Sequence, residues 1–353
     1  MRALFPEDAT DEMSETPADS TPALRATRLR GPLRAFEPRL SLPLIAAPMF
    51  LVSGTALVTS ACREGVIGAF PTANCRSTEE LQRWLDRIRA DLAAFERDSG
   101  RRAAPFAPNL IVHRSNPRLA GDLRAVIAAK AELVIASVGS PQDVVAPLHD
   151  AGCLVFADVA SMRHAEKALE AGVDGLVLLS AGAGGQTGWA NPFAFARAVR
   201  AVWDGPIVMA GGISDGCALF AAQALGCDLG YMGTRFIATD ESAADPEYKR
   251  MLVDASMDDV LLTSAVTGLP TSMLRPSLVA AGLDPQNLPA RGAIDIAQDF
   301  SIEARETAGA TRWKDVWSAG HSVSGVRAVA TVRGLVRETL REYRDASAIQ
   351  AAT

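Results

Sequence analysis

The sequence predicts an α/β fold, a (β/α)8 TIM barrel with a mostly helical lid inserted after strand 8. Three observations carry this expectation. Eight short apolar runs recur along the chain, each followed by a longer segment of helical spacing. The runs are nearly continuous in hydrophobic residues, as strands of a parallel sheet covered on both faces must be. A length of 353 residues accommodates one barrel, which typically takes roughly 250 residues, with additions.

Residues 1–28 stand outside this pattern. They are acidic, rich in Pro, Ser and Thr, and lack the continuous apolar core of a secretory signal, so a disordered tail is expected. The barrel is expected over 29–237 and 319–347. Its strands read "LIAAPMF" (44–50), "VIGAF" (66–70), "APNLIV" (107–112), "ELVIASV" (132–138), "CLVFADV" (153–159), "DGLVLLS" (174–180), "PIVMAGG" (206–212) and "DLGYMGT" (228–234).

Between the strands lie helical patterns. In "STEELQRWLDRIRADLAAFERD" (77–98), Ser77 and Glu80 have the spacing of a capping box. "PQDVVAPLHDAG" and "SMRHAEKALEAG" both end in Gly, the expected residue just past a helix. The period breaks after the eighth strand, where residues 238–318 intervene before the closing helix "VRAVATVRGLVRETLREYRDA". A long segment leaving the C-terminal end of a barrel strand sits over the mouth, so it is read as a lid or substrate segment. The alternative is packing against the barrel's side.

Composition narrows the function. With 48% hydrophobic and 22% charged residues the chain has a large core, yet its apolar runs fall short of the ~20 residues a membrane span needs. No membrane partner is expected. Net charge is −6 with Lys and Arg spread out, which leaves no basic stripe for nucleic acid. The five cysteines form no CxxC pair and suit a reducing, cytoplasmic compartment; Cys153, Cys217 and Cys227 read as inert core residues. No HExxH occurs, the four histidines are scattered, and no metal is expected. No GxGxxG opens a βαβ unit, so a Rossmann dinucleotide site is not expected either. A small-molecule substrate is the remaining class.

In such a barrel the chemistry sits at the C-terminal ends of the strands. Those ends carry Pro48-Met49, Asn109, Ser137 to Gly139, Asp158, Ser180 to Gly188, Gly211-Gly212 and Gly233-Thr234. Glycines after the seventh and eighth strands free backbone N–H groups for an anion, and this pair of loops is the usual phosphate position in the fold. Ser214 and Asp215 also read as helix caps, so part of that signal is structural.

"LIAAPMF", "SAGAGGQTG" and "PIVMAGGISDGCALFAAQALGCDLGYMGTRFIATDES" together resemble the nitronate monooxygenase family, once called 2-nitropropane dioxygenases, over roughly residues 40–345. The resemblance implies an FMN-dependent oxidoreductase. It implies an FMN phosphate held by Gly211, Gly212, Gly233 and Thr234, and a ring lying against Ala47, Pro48 and Met49, near Asn109, with Ser180, Gly184 and Gly185 on another side. The family motif in the sixth loop usually ends in Ala-Gly-Gly-His, its histidine being the proposed base. Here Gln186 stands in that place. A carboxamide accepts no proton from carbon at useful pH, so residue 186 is no base. In "WSAGHSVSG" (317–325) the family commonly has a glutamine where this chain has His321. His321 is therefore a candidate for the displaced proton-transfer role, against the plainer reading that it only caps the turn.

Three functions remain open. The first is oxidation of alkyl nitronates or related substrates with O2, which needs no base when the nitronate is pre-formed. The second is an NADH- or NADPH-dependent flavin reductase or dehydrogenase acting on a quinone, an enone or an enoyl or acyl thioester, with Arg235, Lys249, Arg250 and Arg275 as possible contacts for a phosphorylated carrier. The third is a flavin-binding protein with little turnover, or a non-redox phosphate-binding barrel. An inosine-monophosphate-dehydrogenase-like reading fails because the sixth loop holds no cysteine. A homodimer is compatible with the family resemblance. Asp158 and His113 could each face a ligand or be structural, and Trp189 could wall the pocket or pack under the lid.

Overall fold

The computed structural model describes residues 29–288 and 316–351. The expected disordered tail and the later part of the expected lid lie outside the described residues. Eight parallel strands close a barrel: β1 (Leu44–Ala46), β2 (Ile67–Pro71), β3 (Phe106–Ile111), β4 (Leu133–Ser137), β5 (Leu154–Val159), β6 (Gly175–Leu179), β8 (Ile207–Ala210) and β9 (Leu229–Met232), with the two-residue β7 (Gly185–Gln186) outside it. The ring shuts where β1 pairs with β9, Leu44 opposite Gly230. Each of the eight apolar runs overlaps one barrel strand, β2 and β3 each reaching one residue beyond theirs.

The outer helices are α1 (Thr55–Arg63), α2 (Thr78–Ser99), α3 (Leu119–Ala128), α4 (Gln142–Asp150), α5 (Met162–Glu170), α6 (Pro192–Val202), α7 (Gly216–Ala224) and the short α8 (Thr234–Ile237). α2 shows how the pattern works: Leu81, Leu85, Ile88 and Leu92 recur every three or four residues and are its buried face. The Ser77 hydroxyl accepts the Glu80 N–H at 3.2 Å. The Glu80 carboxylate, however, turns to the Arg76 N–H, so only half of the expected capping box forms.

Two cores result. One lies between strands and helices. The other fills the barrel, with Ile45, Ile67, Ile135, Phe156, Val208 and Leu229 among its members. Phe156 is fully buried there, and truncating it to Ala would cost about 3–5 kcal/mol. A 3-10 turn over Gly31–Arg39 plugs the N-terminal end of the barrel, since Leu29, Leu33 and Phe36 join this inner cluster. Asp228 anchors the plug, accepting the Arg30 and Ile207 N–H groups at 2.9 Å each and Arg200 Nη2 at 3.1 Å. With its bottom sealed, the barrel opens only toward the strand C-termini.

After β9 the described chain forms α8, α9 (Pro246–Asp254), β10 (Val260–Thr263), β11 (Thr271–Leu274) and α10 (Arg275–Ala280), and it ends in α11 (Val332–Ala351). Helices were expected in this segment; the hairpin was not. β10 pairs antiparallel with β11, and β11 pairs with β7, Thr271 opposite Gln186. Four-residue strands give too few alternations to register as a period, and β7, the third strand of this sheet, lies far away in sequence.

Cys62, Cys75, Cys153 and Cys227 are buried, and burial pushes each thiol up to about 12. Cys217 departs from expectation. It is exposed, because α7 turns Leu219 and Ala222 inward and leaves position 217 on the outer face.

Candidate active site

Strand alternation places the next layer of side chains above the inner core. Two residues beyond Ala107, Ile135, Phe156 and Leu229 come Asn109, Ser137, Asp158 and Tyr231, all therefore facing the barrel axis at its open end. The apolar interior thus ends in a polar floor. Above it lies a cavity of about 430 Å³, within the usual range for ligand sites of about 300–1,000 Å³.

The cavity brings together most of the residues that the sequence singles out. Ala47, Pro48, Met49, Asn109, Gly184, Gly185, Gln186, Gly211, Gly212, Gly233 and Thr234 all line it. Ser180 does not. It is fully buried, and its hydroxyl donates to the Ala210 carbonyl at 2.6 Å, tying the end of β6 to β8. His321 does not line it either: the residue is exposed, and its backbone N–H donates to the Gly182 carbonyl at 2.9 Å. The side chain that could have replaced the imidazole lies outside the cavity wall. His113 is held by Ser115 at 2.8 Å and is not in the lining, while Trp189 is 81% exposed and neither walls the pocket nor packs under the lid.

Gln186 is positioned by the backbone. β7 is clipped to β11, and Thr187 adds a hydrogen bond from its N–H to the Pro270 carbonyl at 3.1 Å. The Thr187 hydroxyl donates to the Ser180 carbonyl at 2.7 Å. The sixth loop is consequently held from both sides, with the Gln186 carboxamide at the cavity edge.

After β8, beside the sixth loop, Gly211 and Gly212 have φ of 119° and 75°, a region that favours glycine. A Cβ at 211 would lie 2.5 Å from Ser180 Oγ, whereas one at 212 would meet nothing within 4 Å and would intrude on open space. The Thr234 hydroxyl accepts the Gly320 N–H at 3.0 Å and keeps its own proton to donate. This end is shaped for a small anion approached by backbone and hydroxyl. Arg235 is committed elsewhere, to Glu338 at 2.8 Å and the Ser214 carbonyl at 2.9 Å.

The third side comes from the segment that follows β9 and from the return to α11. Tyr248 and Trp317 stack with ring centroids 5.0 Å apart and an interplanar angle of 8°, and both border the cavity. The Tyr248 hydroxyl donates to the Ser318 carbonyl, and burial pushes its pKa well above the ordinary phenol value, which keeps it a neutral donor. The sequence offered no sign of this wall, since a stacked pair far apart in the chain leaves no local pattern.

The floor holds two unsatisfied groups. Asp158 Oδ1 and the Tyr231 hydroxyl are buried without a hydrogen-bond partner. Burial alone raises the Asp158 carboxyl to about 7, for no cation stands near it. Burial first, and the Asp158 charge second, push the Tyr231 phenol well above its ordinary value. A strand-end Asp in an otherwise apolar run was visible in the sequence, but Tyr231 was not singled out, though it too is a polar tip at a strand end.

The nitronate monooxygenase family model matches residues 116–342. The chain belongs to the nitronate monooxygenase family. It is thus an oxidoreductase of a flavin-dependent kind. It is similar to the nitronate monooxygenase of Paraburkholderia phytofirmans, 28% identical over 309 residues that cover 75% of this chain and 82% of that one. It is also 28% identical, over 71% of this chain and 68% of the other, to the (3aS,4S,5R,7aS)-5-hydroxy-7a-methyl-1-oxo-octahydro-1H-indene-4-carboxyl-CoA dehydrogenase of Mycobacterium tuberculosis. Among solved structures, FabK from Thermotoga maritima has a TM-score of 0.74 at 22% identity, covering 92% of this chain and 99% of its own. Nitroalkane oxidase from Streptomyces ansochromogenes has a TM-score of 0.73 at 24% identity, covering 89% and 99%. Both support the barrel of this nitronate monooxygenase family member.

The cavity suits a flavin. It joins a glycine-and-hydroxyl end fit for a phosphate to a body whose lining, among the described residues, contains no Lys, Arg, His or Glu, as an uncharged flat ring requires. No cluster of three or more His, Cys, Asp or Glu that could hold a metal occurs among the described residues. No helix among them is long and apolar enough to cross a membrane.

Proposed function

We propose that the protein is an FMN-dependent oxidoreductase that oxidises alkyl nitronates with O2. The observation that supports the reading is the cavity lining: it includes Gln186, at the position where the family resemblance implies a histidine, and it contains no histidine or lysine among the described residues. A substrate that arrives already deprotonated at carbon needs no imidazole. Bound FMN supplies the electron-accepting chemistry and the reaction with O2.

The chain's own residues bind and orient. Gly212, Gly233 and Thr234 form the end that receives the cofactor's phosphate, and Ala47, Pro48 and Met49 back its ring. The Gln186 amide N–H would donate to a nitronate oxygen and so orient the substrate in the cavity. The Tyr248–Trp317 stack closes the outer side against water and favours an apolar chain.

That aromatic wall also favours a second reading, a dehydrogenase acting on a hydrophobic acyl or ring substrate, with NADH or NADPH as reductant in its reductase form. The similarity to a protein named as a carboxyl-CoA dehydrogenase points the same way. The test is anaerobic rapid mixing of the purified holoenzyme with propyl nitronate, the neutral nitroalkane, NADH and NADPH, following flavin absorbance. Bleaching by the nitronate while the other three are inert supports the first reading. Bleaching by a nicotinamide alone overturns it in favour of a reductase.

A further inference from the structure

The two floor groups have no place in that account of substrate binding. Asp158 and Tyr231 come from β5 and β9, which are separated in the barrel by β6 and β8, and at the open end they are near enough for the Asp158 charge to act on the Tyr231 phenol. Both border the cavity, and both bury a polar atom without a partner. Two such atoms on one cavity are uncommon in a folded interior and ask for a ligand or an ordered water to satisfy them. Their neighbours in the same layer are already served: Asn109 Nδ2 donates to the Ile135 carbonyl at 3.1 Å, and the Ser137 hydroxyl donates to Asn109 Oδ1 at 3.2 Å.

The charges around Asp158 are few. β3 and β4 bring the neutral Asn109 and Ser137 to the same cavity, β6 and β8 the apolar Leu179 and Ala210, and β9 the Tyr231 phenol. The lid adds Asp245, whose Oδ1 caps α9 at the Glu247 N–H, 2.7 Å away, and the neutral Tyr248. No described cation lines the cavity to hold Asp158 ionised. A phosphate-bearing cofactor would bring further negative charge into the same space, which again favours the protonated carboxyl.

We propose that Asp158, seated beside Tyr231 on the cavity floor, is a proton-carrying contact for the bound flavin, so that the protein holds its cofactor more tightly when this carboxyl is protonated. The inference rests on the flavin reading above. The proton comes from solvent and stays on Asp158, whose O–H donates to an acceptor on the polar edge of the ring, with the Tyr231 hydroxyl as the adjoining donor. The carboxylate form can only accept, and it repels an electron-rich ring edge. Since the free carboxyl titrates at about 7, affinity is level below that pH and falls above it, by up to about tenfold per pH unit.

The experiment is an FMN dissociation constant, read from the return of free-flavin fluorescence as the holoenzyme is diluted, between pH 5.5 and 9, for the wild type, Asp158→Asn and Tyr231→Phe. FMN's own phosphate titrates near ~6, and comparison of the proteins removes that contribution. The expected result is a wild-type Kd that rises above pH 7, and an Asp158→Asn Kd that stays level because its amide donates at every pH. Tyr231→Phe binds more weakly throughout but keeps the wild-type pH dependence. A wild-type affinity without a step near neutrality, or one whose step survives in Asp158→Asn, overturns the proposal while leaving the flavin reading intact. Failure of all three proteins to hold FMN at any pH overturns both.

Discussion

The backbones of Gly184 and Gly320 press directly against each other: a Cβ on Gly184 would sit 2.7 Å from the Gly320 nitrogen, and one on Gly320 only 2.8 Å from the Gly184 nitrogen. Neither neighbour is a flexible side-chain end that could swing away. This contact joins the sixth loop, which carries Gln186, to the segment that returns from the lid. Replacing either glycine with alanine forces the two backbones apart. We expect Gly320→Ala to weaken FMN binding at least tenfold, equivalent to about 1.4 kcal/mol, while Gly212→Ala acts through its φ of 75° instead. Flavin titration of the two variants checks this, and a Gly320→Ala protein with wild-type affinity would refute it.

Gln186→His restores an imidazole at a place the structure already holds rigid. Turnover of the neutral nitroalkane should then rise by about 10²-fold, the lower end for general base catalysis. The rate should climb with pH through about 6.5, as the imidazole loses its proton and becomes a base. Nitronate turnover should change little. Steady-state pH profiles on both substrates decide the matter.

His321→Ala should leave turnover and its pH profile unaltered, because the ring is exposed and outside the cavity lining. A lost ionisation in the profile of kcat/KM would return His321 to the mechanism.

Asp158 also makes a prediction about stability. Its carboxyl rises from an ordinary value of 3.8 to about 7 in the folded protein, so between those values the folded state binds more protons than the unfolded chain. Stability therefore falls as pH rises through that window and is lowest, for this group, above pH 7. Asp158→Asn removes the penalty. The cofactor-free variant should exceed the wild type by about 1–3 kcal/mol at pH 8 and lose that advantage near pH 4. Denaturant unfolding at the two pH values would show equal differences if the carboxyl were not buried and uncompensated.

The barrel was legible in the sequence because each strand is buried on both faces and writes that fact locally, as in "DGLVLLS" (174–180) for β6. Some glycines of the cavity were legible for a similar reason: at Gly184 and Gly211 close approach leaves no room for a side chain, and at Gly185 and Gly212 a positive φ favours glycine, each a local demand that the chain states at the position concerned. What the sequence could not show was direction. His321 and Gln186 looked exchangeable as residue types, yet one side chain borders the cavity and the other faces outward, a difference set by how the return segment docks on Gly182. Tyr248 and Trp317 were equally silent, since their stacking joins residues brought together only by the fold. Asp158 lay between these cases, visible at a strand end but without meaning until Tyr231 was seen beside it.

The pairing of β7 with β11 bears on how such proteins can be recombined. Residues 260–274 look, in the sequence, like part of a detachable appendage that could be exchanged between relatives to alter substrate range. They are instead stitched by main-chain bonds to the strand that presents Gln186. A chimera that imports a foreign hairpin alone would unseat that amide, whereas one whose crossover points carry residues 182–188 along with it would transplant the binding edge intact.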